Sequence, residues 1–148
     1  GADCSLDAAC ALGDCAVVER LLAGGAAPDS PDSLGRTGLM KAAAEGYGEL
    51  VGLLLAARAS LRARDSDGYE PLSWACVFGR TDVAKALVGA GGALEARNDA
   101  GETALLVAAS EGHEELTAWL LTAGADSSAR DERGRLAVVR AIDAGHGE

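Results

Sequence analysis

Few residues in this chain have types and spacing that could do chemistry. His113, Glu114 and Glu115 would suit a zinc-protease helix if a second histidine followed four residues on, but Thr117 stands there. The expected role is a helix N-terminus, where two first-turn glutamates complement the positive end of the helix dipole. The run Gly89, Ala90, Gly91, Gly92 lacks the Lys-Ser/Thr that would reach phosphate and metal, and reads as a helix exit. Cys4, Cys10, Cys15 and Cys76 form neither a C-x-x-C pair nor a zinc-spaced Cys/His group. Cys10 and Cys76 share one phase of the chain with Ala43 and Ala109, and are expected to be buried thiols acting as small apolar side chains. No nucleophile, base and orienting group fall together, so no enzyme activity, metal or cofactor is expected. Arg64, Arg97 and Arg130 form a basic ladder. Each is expected to pair with a nearby acid such as Asp65, Asp99 or Asp131; the alternative is that the ladder reads an acidic peptide.

The elements that must position these residues are set by repetition. Gly35, Gly68, Gly101 and Gly134 recur at an interval of 33 residues, as do Gly13, Gly46, Gly79, Gly112 and Gly145. A glycine recurring in phase marks a backbone site that needs positive φ or close approach. Leu6, Leu39, Leu72 and Leu105, followed by Val138, form one apolar ladder; Leu21, Leu54, Leu87 and Leu120 form a second, with Leu22, Leu55, Val88 and Leu121 beside it. Ala9, Ala42, Ala75, Ala108 and Ala141 supply the small residues that let helices approach closely. Leu50, Val51, Leu54 and Leu55 have the spacing of an apolar helical stripe.

Each unit therefore reads as a turn, a short helix, a tight turn at the second glycine, a second helix and a glycine-rich exit. Thr37 and Thr103 are expected N-caps and Pro71 an N1 proline. Gly25, Gly91 and Gly124 are expected left-handed closures of the second helices, with Arg58 in the equivalent place at some local cost.

The stretches Asp32 to Ala43, Asp65 to Cys76 and Asn98 to Ala109, with the Gly124-Ala125-Asp126 exit, resemble the ankyrin-repeat family. The resemblance covers nearly the whole chain. It implies an all-α solenoid of helix-turn-helix units joined by short hairpin-like loops. The units expected are an N-terminal capping repeat (1–31), three full repeats (32–64, 65–97 and 98–130) and a partial C-terminal repeat (131–148) in a single domain. These ends suit either a capped array or a segment of something longer, and the polar Arg140 and Asp143 suit a terminal helix.

Several positions depart from the family pattern. The signature histidine is replaced by Asp7, Met40, Ser73, Leu106 and Val139, so the usual threonine-to-histidine relay cannot form and packing must compensate. Gly38 and Ala104 replace the proline, and Gly52 lies inside a helix. Asp29, Arg62, Glu95 and Ser128 stand where some ankyrin proteins offer an asparagine for hydroxylation, so that modification is not expected.

The resemblance also implies where a partner would bind: along the turn tips and the exposed face of the first helices. The candidates carried over are Arg36 and Glu45 in the second unit, Tyr69, Trp74, Val77 and Phe78 in the third, Glu102 and Glu111 in the fourth, and Arg135 at the last turn. The third unit holds most of the chain's aromatic residues. Tyr69 and Phe78 occupy variable slots and are expected to bind. Trp74 occupies a slot where ankyrin repeats often place a framework tryptophan, so packing and binding both remain open. Trp119 is expected to be structural or on the convex face.

The formal net charge of −10 disfavours a nucleic-acid surface, since such affinity rests on Lys and Arg displacing counterions. No apolar run approaches the ~20 residues needed to cross a bilayer, and no secretory signal is evident at the N-terminus. The reading is a monomeric, non-enzymatic protein-interaction module, an adaptor or scaffold of the cytoplasm or nucleus. The alternative is a regulatory or targeting segment of a larger enzyme or channel.

Overall fold

The computed structural model describes residues 6–137, apart from the Asp7 side chain. Cys4 and the expectations for Val138, Val139, Arg140, Ala141, Asp143 and Gly145 lie outside the described residues. Among the described residues eight short helices are arranged in four pairs. The first helices are α1 (Leu6–Leu12), α3 (Gly38–Glu45), α5 (Pro71–Val77) and α7 (Ala104–Ser110). Their partners are α2 (Cys15–Ala23), α4 (Gly48–Ala56), α6 (Thr81–Gly89) and α8 (Glu114–Thr122). Each first helix packs on its own partner, α1, α3, α5 and α7 pack in succession, and α2, α4, α6 and α8 do the same, giving two stacked layers. Among the described residues no strand forms; Arg130 and Leu136 make an isolated antiparallel bridge.

Helices of seven to nine residues are marginal alone, because the cost of nucleation is spread over too few hydrogen bonds. Stacking supplies what the single helix lacks. Leu39, Leu54, Leu87 and Leu120 are fully buried, and Leu72 and Leu105 nearly so. Each such burial stabilises the array by about 1.5–3 kcal/mol. Ala42, Ala75 and Ala108 are also fully buried, and the first-helix layer packs more intimately than the second. Within the second layer Leu54, Leu87 and Leu120 face inward, whereas Leu121 is 45% exposed.

Local caps follow the sequence. Thr103 Oγ1 accepts from the Leu106 N–H at 3.3 Å. Thr37 Oγ1 accepts from the Met40 N–H at 3.4 Å, while the Thr37 N–H donates back to Met40 Sδ at 3.5 Å. A buried thioether thus replaces in part the polar relay lost with the family histidine, where packing alone was expected. Gly25, Gly91 and Gly124 close the second helices in the left-handed region, and among the described residues Arg58, with φ 65°, is the non-glycine residue that shares it.

The tight turns between paired helices explain one glycine series doubly. Gly46 has φ 78°, and a Cβ there would lie 2.9 Å from Arg80 Cδ, because Arg80 of the following unit lies across the turn and its Nε donates to Ala44 O at 3.0 Å. One unit on, the His113 ring covers Gly79 and its Nε2 lies 2.8 Å from Val77 O. The expectation that His113 marks a helix N-terminus holds, since it is the N-cap residue of α8. Its ring additionally bolts that helix to the unit before.

Candidate functional site

Four turn tips project from the first-helix side, all built alike. The Asp32 N–H donates to Arg36 O, the Asp65 N–H to Tyr69 O, the Asn98 N–H to Glu102 O and the Asp131 N–H to Arg135 O. In each tip the first residue's side chain also accepts two amide N–H groups: Leu34 and Arg36 on Asp32, Asp67 and Tyr69 on Asp65, Ala100 and Glu102 on Asn98, Arg133 and Arg135 on Asp131. Burial opposes ionisation of Asp32, but the Arg36 N–H, Lys41 and the Leu34 N–H outweigh it and hold the carboxyl well below the usual range. The Arg135 N–H, followed by that of Arg133 and the Arg135 side chain, likewise holds the Asp131 carboxyl low against a smaller opposing desolvation.

This geometry corrects the expected pairing of the arginine ladder. Asp65 and Asp131 are engaged by their own tips, and the guanidiniums donate to main-chain carbonyls instead. Arg64 donates to Arg97 O, Arg97 to Gly101 O at 2.5 Å and Arg130 O at 2.6 Å, and Arg130 to Gly134 O at 2.7 Å. A fork of N–H donors suits successive carbonyls at a loop edge, so the ladder stitches one unit to the next.

Trp74, on α5, stands at the centre of the tip face. Its Nε1–H donates to Asp65 Oδ2 at 3.0 Å, so the tip aspartate also fixes the indole. Tyr69 braces it with ring centroids 5.6 Å apart and planes at 53°, and Phe78 lies parallel to it at 6.2 Å. Phe78 is 48% exposed. Trp74 forms part of the wall of two hollows. One, of about 610 Å³, is lined by Asp67, Tyr69, Trp74, Val77, Asp99, Ala100 and Glu111. The other, of about 340 Å³, is bordered by Trp74, Phe78, Met40, Arg36, Lys41 and Glu45, among others. Both are bounded by turn-tip and first-helix residues, which makes the tip face a groove.

A family model described as ankyrin repeats in three copies matches residues 6–98, and a second, described as an ankyrin repeat, matches residues 100–132. The chain belongs to the ankyrin-repeat family. No curated protein matches it significantly. Ankyrin repeats are generally protein–protein interaction modules and typically non-catalytic, which implies a protein partner. No helix among the described residues is long and apolar enough to cross a membrane.

The ankyrin array brings seven of the nine candidate residues to the two hollows. Tyr69, Trp74, Val77 and Glu111 line the larger, and Arg36, Glu45, Trp74 and Phe78 the smaller, Trp74 serving both. Glu102 and Arg135 lie outside the linings. Glu102 accepts from Asn98 Nδ2 at 2.8 Å, and Arg135 Nε pairs with Asp131 Oδ2 at 3.0 Å. Arg36 makes the equivalent pair with Asp32 at 3.0 Å, so its guanidinium is shared between the tip and the groove. Burial, then the charges of Glu102, Asp67, Asp65 and Glu111, push the Tyr69 hydroxyl above its usual range, so the phenol stays neutral at the edge of an acidic field.

Trp119 packs partly buried against the core, as a structural residue should. The residues that sequence reasoning missed are the tip organisers. Asp32, Asp65, Asn98 and Asp131 recur at one phase, and that recurrence was the available signal.

Proposed function

We propose that this ankyrin array is a non-enzymatic adaptor or scaffold module that engages a partner protein through the groove around Trp74. The observation that carries the reading is the cluster of half-buried Tyr69 and Trp74 with exposed Phe78, set between two hollows of the tip face. Aromatic side chains held rigid in this way anchor interfaces, because they bury large area with little further loss of conformational freedom. The free, buried thiol of Cys76 suits a reducing compartment, the cytoplasm or nucleus. The proposed organisation is a monomer with three full repeats (32–64, 65–97 and 98–130) between terminal capping units.

The test is affinity capture from a cell extract with mass-spectrometric identification, comparing the native chain with a Tyr69→Ser/Phe78→Ser variant of verified helicity. Specific proteins retained by the native chain and lost by the folded variant support the groove. Identical profiles refute it.

A further inference from the structure

The two hollows beside Trp74 differ in charge in a way that selects what each can hold. In the smaller one the bases are already engaged: Arg36 Nε lies 3.0 Å and Lys41 Nζ 3.1 Å from Asp32 Oδ2. In the larger one Asp67, Asp99 and Glu111 stand around Tyr69, Trp74, Val77 and Ala100, and among the described residues none of these three carboxylates makes an ion pair. Acidic side chains on a bare surface are ordinary; three beside a fixed aromatic plane form a receptor of defined shape.

The plane is held from several directions. Asp65 Oδ2 accepts from the indole N–H, Tyr69 leans on one side and Phe78 stacks in parallel. The carboxylates come from two successive units that are themselves locked, since the Asp99 N–H donates to Asp67 O at 3.1 Å. Asp99 also sits directly over Gly68, where a Cβ would fall 2.4 Å from its Oδ1. The walls therefore need little rearrangement to receive a ligand.

We propose that this larger hollow is a subsite for one arginine side chain of the partner protein, its guanidinium lying along the Trp74 indole beside Asp67, Asp99 and Glu111, and its aliphatic stem against Val77 and Ala100. The inference rests on the reading of the groove as a partner surface. A guanidinium is planar, so it covers an aromatic face that a compact ammonium only touches, and its fork of donors satisfies a carboxylate through two parallel hydrogen bonds. Its weaker hydration lowers the cost of leaving water for a half-enclosed apolar hollow. The neutral Tyr69 hydroxyl adds no competing charge. The net charge of −10 favours encounter with a basic segment, and the subsite then fixes its register.

The test uses the full 148-residue chain and a displayed library of random linear peptides, with the Trp74 Nε1–H resonance as the reporter of groove occupancy. The expected result is that selected peptides shift this resonance and carry arginine at one fixed position. Replacing that arginine by citrulline, its neutral isostere, should weaken binding at least about tenfold. An Asp99→Asn/Glu111→Gln variant should bind the arginine and citrulline peptides alike. Peptides that shift Trp74 but carry no basic position, or that bind equally as citrulline forms, overturn the subsite and leave the groove standing. A library dominated by lysine overturns the guanidinium assignment. If no peptide moves the Trp74 signal, the groove reading itself fails and the subsite with it.

Discussion

Two glycines of the second unit predict opposite responses to the same substitution. Gly52 lies in the interior of α4, exposed, and an added Cβ there meets nothing within 4 Å. Gly52→Ala is therefore expected to stabilise the fold by about 1 kcal/mol through helix propensity alone. Gly38 opens α3 behind its Thr37 cap, and a Cβ there would fall 2.6 Å from Sγ of Cys10 on α1. Cys10 is fully buried, so its sulfur must move by most of an ångström in a packed layer. Overpacking of this kind costs about 1–3 kcal/mol, and a mid-range 2 kcal/mol corresponds to about 4–8 °C in Tm for a chain of this size. Removing the sulfur should relieve the clash, so Gly38→Ala combined with Cys10→Ala is expected to be more stable than Gly38→Ala alone. The coupling should be about 1–3 kcal/mol in a double-mutant cycle. Urea denaturation followed by far-UV circular dichroism and by tryptophan fluorescence measures the native chain and the four variants. If Gly38→Ala stabilises as Gly52→Ala does, or if Cys10→Ala gives no relief, then close approach of α1 and α3 is not the reason for Gly38.

Other predictions follow from the caps, tips and charges. Arg58→Gly removes a non-glycine residue from φ 65° and should stabilise by about 0.5–1 kcal/mol, after allowance for the looser unfolded chain; an unchanged or lower urea midpoint would refute this. Asp65→Ala removes the acceptor of the Asp67, Tyr69 and Trp74 N–H groups and should cost about 2–3 kcal/mol, with red-shifted Trp74 emission. Asp65→Asn, the residue that Asn98 provides in the next tip, should cost less; equal losses would show that tip geometry is not the cause. Because Asp32 and Asp131 are held low in the fold, their contribution is full above the ordinary carboxylate value of about 4 and is lost as pH falls through their folded values. The urea midpoint should therefore drop below about pH 4, and Asp32→Asn should flatten that dependence; an unchanged slope would remove Asp32 from the account.

Much of the architecture was legible because its requirements are local. A left-handed turn demands glycine at the turn itself, a helix start demands a threonine beside the first free N–H groups, and a buried stripe demands apolar residues at helical spacing. Gly46, Gly79 and Gly101, Thr37 and Thr103, and the Leu39–Leu72–Leu105 ladder therefore announce themselves by phase. The candidate site was legible in part. Tyr69, Trp74 and Phe78 stood out as aromatics in an aromatic-poor chain, and the structure gathers them into one cluster. Arg36 and Arg135 were read as groove residues without their tip partners, because Asp32 and Asp131 were not recognised as tip organisers.

Sequence alone determined the repeat, its two helices and the positions of its turns, since each is dictated by residues adjacent in the chain. Tertiary structure decided which long side chains reach across from unit to unit. Arg64 met the carbonyl of Arg97 rather than an acid, Arg80 and His113 closed the turns of the units before them, and Trp74 came to stand between an acidic and a mixed hollow. Such contacts depend on the rigid-body offset between stacked helices. That offset is set by the summed packing of the layers, through details as small as the sulfur of Cys10 resting against Gly38.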